Sequence, residues 1–387
     1  MSFESQILLL DLQTPALVYD EDSIDSVFQT LSGIRNEKLF KVLYSMKACS
    51  LFSVMKIISP NVDGFSCSTN NEIELATRIA RRDQVIQTVS PTPAVGFVVG
   101  HRAPDLLTFN TIEQARRSET LQPEMRAAIR VNPETSFVRN NKYDPCRVAS
   151  KLGATVPKIL KELKSNSAFR ERISGLHFHN NCESENFVEL QLTVDRISPL
   201  LESHEFKWIN LGGGYRFVDV DLAPLGDLVR LLRARYGLEV FIEPGGGVVR
   251  DAGYLVSTII DMFESDGKQI AILDTAVNHA PEVFEYDWSP PTLNSCLNGK
   301  YSYIFAGCSC LAGDVFGEYS FNKPKKLGDR VVFGEMGAYS TAKTSWFNGI
   351  SMPNIYILTQ DGELDLRKTY TYEDFARHCG VDEVAIN

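Results

Sequence analysis

Between Val42 and Pro244 the sequence alternates short apolar or β-branched runs with amphipathic stretches, and this alternation restricts the chain more than any other feature. Eight runs read as strands, at 42–47, 62–66, 85–89, 106–109, 127–132, 173–179, 208–211 and 240–243. Helical periodicity fills most of the intervals, notably 68–81, 156–163, 187–200 and 225–236. In the first of these, Ile73, Ala76 and Ala80 fall on one face behind a Thr69/Glu72 capping pattern. Strand and helix in alternation favour parallel βα units. Eight units suggest a closed (β/α)8 barrel, which takes ~250 residues; the alternation alone leaves an open doubly wound sheet as the alternative.

After Gly253 the pattern changes to short strand-like runs at 270–273, 301–306, 330–333 and 355–358, with turns such as Leu327-Gly-Asp-Arg330. This reads as a separate all-β domain, and the N-terminal run Pro15-Ala-Leu-Val-Tyr19 is placed to join its sheet. The expected organisation is α/β: a barrel at 24–252, and a C-terminal β domain at 253–387 completed by residues 1–23.

Composition narrows the partners. The 387 residues are 44% apolar and 23% charged, the balance of a folded chain rather than a disordered one. Thirty-nine Lys and Arg against 49 Asp and Glu leave a formal charge of −10, which argues against nucleic acid and permits a cationic small molecule. Eight cysteines are scattered without paired short spacings, so neither a disulfide framework nor a zinc site is expected. The start carries one short apolar run, 7–10, between Glu4 and Asp11 and without a basic flank, so no secretory leader is expected. No apolar stretch approaches the ~20 residues of a membrane span. The expected setting is the cytoplasm, with no membrane partner.

In a βα barrel the chemistry sits at the carboxyl ends of the strands. Lys47 closes the first run. A lysine aimed into the mouth loses proton affinity by desolvation and can form a Schiff base with an aldehyde cofactor; it can equally reach solvent, and Lys41 and Lys56 lie nearby. Asn210-Leu-Gly-Gly-Gly-Tyr215 follows the seventh run and Glu243-Pro-Gly-Gly-Gly247 the eighth. Such turns bare backbone N–H groups for an anion, and two of them after the last two strands point to phosphate, although tight turns also select glycine. Glu243 would stand at the mouth, where a carboxylate can hold a proton on a pyridine nitrogen; a helix cap or surface salt bridge is the plainer alternative. In Gly175-Leu-His-Phe-His-Asn180, period-two alternation puts His177 and His179 on one face. No carboxylate or thiol with ligand spacing accompanies them, so no metal is expected. His179 reads as a platform for a planar cofactor and His177 as a core residue.

Together these features resemble the fold type III pyridoxal phosphate (PLP) enzymes, the alanine racemase and ornithine decarboxylase superfamily. Cys310-Leu-Ala-Gly-Asp314 and the segment from Met336 to Gly349 look like its decarboxylase branch. Arg130-Val-Asn-Pro133, Tyr143-Asp-Pro-Cys146, Gly175–Asn180 and Asp314-Val-Phe-Gly-Glu-Tyr-Ser320 are most similar to the carboxynorspermidine/carboxyspermidine decarboxylases, and the likeness runs from about Thr14 to Ile357.

The resemblance implies that Lys47 joins the coenzyme, His179 stacks on its ring, Glu243 pairs with the ring nitrogen and Arg130 lies near the ring hydroxyl. It assigns the phosphate to Gly212, Gly213, Gly214, Gly245, Gly246 and Tyr339, with Glu72 supporting Lys47. It further implies a homodimer with shared active sites. Cys310 and Asp314 would then come from the partner subunit, Cys310 to protonate Cα after carbon dioxide leaves and Asp314 to hold a substrate amine. The implied reaction is decarboxylation of a cationic amino acid in polyamine biosynthesis. Alternatives are another fold type III decarboxylase, for example of a siderophore intermediate, an amino-acid racemase, or a silent PLP-binding regulatory paralogue. The chain departs from the family at Gly245-Gly-Gly247, where Gly-Glu-Ala is usual, and at Asn181, Ser289 and Cys308-Ser309. These departures bear on substrate identity more than on the cofactor.

Overall fold

The structure, a computed structural model, describes residues 7–35, 39–92, 102–118, 125–138 and 140–381. Its strands are β1 (Ala16–Asp20), β2 (Lys41–Ser45), β3 (Gly64–Cys67), β4 (Val85–Val89), β5 (Leu106–Phe109), β6 (Arg126–Asn132), β7 (Ala154–Thr155), β8 (Ile173–His177), β9 (Trp208–Asn210), β10 (Glu239–Ile242), β11 (Gly253–Ser265), β12 (Lys268–Leu273), β13 (Tyr301–Ala306), β14 (Val315–Phe321), β15 (Arg330–Phe333), β16 (Asn354–Leu358) and β17 (Leu364–Lys368). The chain divides into two units, Asp25–Val248, and Met1–Ile24 with Val249–Asn387.

In the Asp25–Val248 unit, β2 to β6 pair in chain order, β6 continues to β8, β9 and β10, and β10 returns to β2 with Ile242 opposite Val42. Every pairing is parallel, so the eight strands close into a barrel and the open-sheet alternative is excluded. The barrel is filled rather than hollow. Leu43, Leu106, Ala128, Trp208 and Phe241, drawn from five strands, form one buried cluster. Truncating a fully buried side chain such as Trp208 to alanine costs about 3–5 kcal/mol. At the strand starts, Glu239 bridges Lys41 at 2.7 Å and Arg126 at 2.6 Å, so that end is tied by charge.

The expected helices appear as Asn70–Thr77, Val156–Ser165, Val188–Ser203 and Ala223–Tyr236. The first stops short of Arg81. Thr77 Oγ1 back-bonds to the Ile73 carbonyl at 2.8 Å, and Arg81 is drawn to the Ser59 carbonyl and Gln84. Its cap also differs slightly: Thr69 Oγ1 accepts from the Glu72 N–H, but the Glu72 carboxylate reaches back to the N–H of Ser68.

The second unit is a mixed sheet ordered β14-β13-β12-β11-β1-β16-β17, with β15 also paired to β11. The N-terminal strand completes it: β1 runs antiparallel to β11, parallel to β16, and is buried along its whole length. Ile7, Leu12, Ala16, Val18, Val256, Val332, Tyr356 and Leu358 make its main core. Phe305, Phe316, Tyr319 and Phe333 stack beside one another in the same unit. Three strands were not expected from the sequence. β11 and β14 interrupt their apolar alternation with Asp261, Glu264, Gly317 and Glu318, and β17 is mostly exposed.

Candidate active site

The strand ends bring a small set of polar side chains together at one mouth of the barrel. Lys47 lies two residues beyond β2. Its side chain reaches open solvent, yet dense protein around it lowers its pKa from 10.5; the Glu243 carboxylate opposes that shift and Arg130 adds to it. Glu72 and Cys182 also face it electrostatically. Arg130, on β6, is 8% exposed, and burial lowers its pKa while Glu243 raises it.

Sequence alternation placed His177 and His179 on one strand face, and this is corrected. β8 ends at His177, so His179 sits in the following turn. There the Gly213 N–H donates to its Nδ1 at 3.1 Å. Burial, with Lys47, Arg130 and His177 around it, holds the His179 imidazole well below 6.5 and therefore neutral. His177 is 1% exposed, and neither of its ring nitrogens has a hydrogen-bond partner.

Glu243 follows β10 directly and is 7% exposed. Its Oε1 accepts from Gln87 Nε2 and, at 2.9 Å, from Asn210 Nδ2. Its Oε2 lies 3.6 Å from His177 Nε2, beyond hydrogen-bond range. Burial would raise this carboxyl, but His177, Lys47 and the Ser66 hydroxyl outweigh it, so Glu243 stays below the usual carboxylate value. Gln87 and Asn210 were missed in the sequence. Gln87, with Thr88, interrupts the apolar run of β4 and Asn210 that of β9, and those interruptions were the available signal.

The glycine turns have two separate reasons to exist. A Cβ on Gly213 would stand 2.1 Å from the Glu243 carbonyl oxygen, and one on Gly214, whose φ is +91°, 2.3 Å from that of Asn181. Close backbone packing therefore demands glycine here before any anion does. The N–H of Gly212 is taken by Asn210 Oδ1 at 2.8 Å and that of Gly213 by His179. These two amides have acceptors within the chain. The amides of Gly214, Gly245 and Gly246 have no acceptor within the chain among the described residues. They form the part of the two turns that fits an anion. With Lys47 open to solvent and Glu243 ionised, the residues of this unit fit PLP.

Asn181 is buried and bonded, its Nδ2 donating to Glu189 and, at 3.2 Å, to the Tyr215 hydroxyl, while Phe187 stacks on Tyr215 at 4.7 Å. This departure from the family thus ties the turn after β8 to the turn after β9.

In the second unit, Cys310 is exposed, and its N–H donates to Asn348 Oδ1 at 2.8 Å. Asp314 differs from expectation. It is 3% exposed, and its carboxylate accepts from the Val277 N–H at 2.7 Å, the Ser309 N–H at 2.9 Å and the Ser309 hydroxyl at 2.5 Å. A carboxylate so occupied anchors its own loop. Tyr339 takes a φ of +58°. Ser289 is packed beside Gly317, whose Cβ would lie 2.6 Å from its hydroxyl. Burial raises the Cys308 thiol.

The sequence family described as pyridoxal-dependent decarboxylase, C-terminal sheet domain, matches residues 16–337. The carboxynorspermidine/carboxyspermidine decarboxylase of Campylobacter jejuni is 30% identical over 94% of this chain and 98% of that protein. The carboxyaminopropylagmatine decarboxylase of Synechocystis is 29% identical over 96% of this chain and 97% of that protein. The crystal structure of carboxynorspermidine decarboxylase from Campylobacter jejuni, complexed with norspermidine, superposes with a TM-score of 0.82 at 28% identity, covering 95% of this chain and all of that one. The chain belongs to the pyridoxal-dependent decarboxylase family.

Proposed function

We propose that this protein is a PLP-dependent carboxy-lyase of polyamine biosynthesis acting on carboxynorspermidine or carboxyspermidine. The observation that carries the proposal is the grouping of Lys47, Glu243, His179 and Arg130 at the mouth of the barrel, in a chain of this family. PLP, when bound, supplies an electron-withdrawing ring that accepts the electron pair left when carbon dioxide departs.

The chain's residues divide the remaining work. Lys47 would hold the coenzyme's aldehyde; its lowered pKa keeps more of its Nζ unprotonated and nucleophilic. Glu243, ionised at the mouth, would pair with the ring nitrogen and hold a proton there. His179, fixed by Gly213, would cover the ring face as a neutral imidazole, and Arg130 would lie near the ring hydroxyl. The amides of Gly214, Gly245 and Gly246 would receive the phosphate. Cys310 delivers the proton from Sγ to Cα, reaching the site from the partner subunit of a homodimer, while Asp314 shapes the loop that carries it. A net charge of −10 favours a substrate rich in amines. The expected setting remains the cytoplasm.

Because the carboxyaminopropylagmatine enzyme is as similar as the carboxynorspermidine enzymes, its named substrate belongs in the same test. Carbon dioxide release is measured on carboxynorspermidine, carboxyspermidine, carboxyaminopropylagmatine, ornithine, lysine and diaminopimelate, with Lys47→Ala as the blank. Highest kcat/KM on the first two is expected. Activity confined to diaminopimelate, or inversion of one enantiomer without gas release, overturns the assignment.

A further inference from the structure

We infer that Gln87 and Asn210 are positioning residues that hold the Glu243 carboxylate ionised and aimed, so that the proton it shares with the coenzyme's ring nitrogen rests on that nitrogen. The inference deepens the PLP reading above and rests on it.

The geometry is a closed set of amide bonds inside the barrel. β4 and β10 do not pair, yet Gln87 on β4 donates to Glu243 just after β10, so the bond crosses the barrel interior. Asn210, at the end of β9, donates to the same oxygen and also to Gln87 Oε1, both at 2.9 Å. Both amides are buried. Their orientation follows from a group that can only donate: the Gly212 N–H points at Asn210 Oδ1, which turns Nδ2 toward Glu243 and Gln87 Oε1. Gln87 then presents Nε2 to the carboxylate.

The consequence is electrostatic. A carboxylate with little exposure favours its neutral form unless donors stabilise the anion. Two donors on Oε1 do so beside His177, Lys47 and the Ser66 hydroxyl, and leave Oε2 without an amide donor among the described residues. Glu243 without them gains proton affinity, and a shared proton moves from the ring nitrogen to the carboxylate. That weakens the ring as an electron acceptor while leaving substrate contacts in place. Asn210 also ties this end of the site to the first glycine turn through Gly212.

The test uses holoenzyme reconstituted with PLP carrying 15N in its ring. Gln87→Met removes the donor and keeps the length; Gln87→Glu and Asn210→Asp are isosteric and replace the donor with an acid oxygen. In the wild type the ring-nitrogen resonance is expected at the protonated position. In each variant it is expected to move toward the unprotonated position, with kcat lower by roughly tenfold and KM nearly unchanged. If Gln87→Met fails to fold, the isosteric pair decides. Folded variants with the wild-type resonance and wild-type kcat overturn the inference and leave Gln87 and Asn210 as filling. A wild type that takes up no PLP overturns the underlying reading instead, so the two failures are distinct.

Discussion

The Gly213 N–H donates to Nδ1 of His179 at 3.1 Å, and because an amide can only donate, this bond puts the proton of the neutral imidazole on Nε2. Burial and the neighbouring cations act in the same direction, keeping the ring uncharged. His179 should therefore titrate well below 6.5 in 15N-resolved NMR of the histidine rings. A titration centred near 6.5 would contradict the placement.

Gly213 should tolerate no side chain. Its Cβ would meet the Glu243 carbonyl oxygen at 2.1 Å, a backbone atom that cannot swing aside. Gly213→Ala is expected to cost about 1–3 kcal/mol or more and to lower coenzyme retention. Gly33 is the internal control, with no atom within 4 Å of an added Cβ inside the helix Glu21–Arg35. Gly33→Ala should stabilise by about 0.5–1 kcal/mol. Urea unfolding of both variants checks the pair, and equal midpoints would refute it.

His279 sets an acid limit on the second unit. It is fully buried, bonded through Nδ1 to Thr275 at 2.8 Å, and its Nε2 has no partner. Burial lowers its pKa from 6.5 to about 4. Below pH 6.5 the unfolded chain gains a proton that the folded chain refuses. Stability is therefore intact above 6.5 and falls as the pH drops, by about 3 kcal/mol near pH 4. His279→Gln should flatten the loss between pH 7 and 4.5. An unchanged slope in denaturant midpoints would exclude His279 as its source.

Asp314 should behave as a loop anchor. Asp314→Ala removes the acceptor for three donors and leaves buried N–H groups unpaired, at about 1–3 kcal/mol each. We expect a lower melting temperature and slower carbon dioxide release, with PLP uptake by the barrel retained. A rise in KM alone, at unchanged stability, would restore Asp314 as a substrate contact.

How much was legible in the sequence depended on whether a signal was local. All eight barrel strands were readable because each is a compact apolar run between turn residues, and Lys47, Glu243 and both glycine turns followed from where those runs stop. The end of β8 was not readable, because His177, Phe178 and His179 continue the alternation past the point where pairing ceases. The engagement of Gly212 and Gly213 was equally hidden. It depends on Asn210 and His179, and the His179 contact exists only once two turns are brought side by side. Gln87 lay beyond reach for the same reason, since its partner is 156 residues away across the barrel. The bonding of Asp314 was hidden too, because a short Cys-Leu-Ala-Gly-Asp string shows the carboxylate but not the donors folded around it.

The most direct measurement is borohydride reduction of the PLP-loaded protein followed by peptide mapping. One reduced coenzyme adduct per chain is expected, on Lys47, absent from Lys47→Ala. An adduct on Lys41 or Lys56, or none on protein shown to hold PLP, would contradict it.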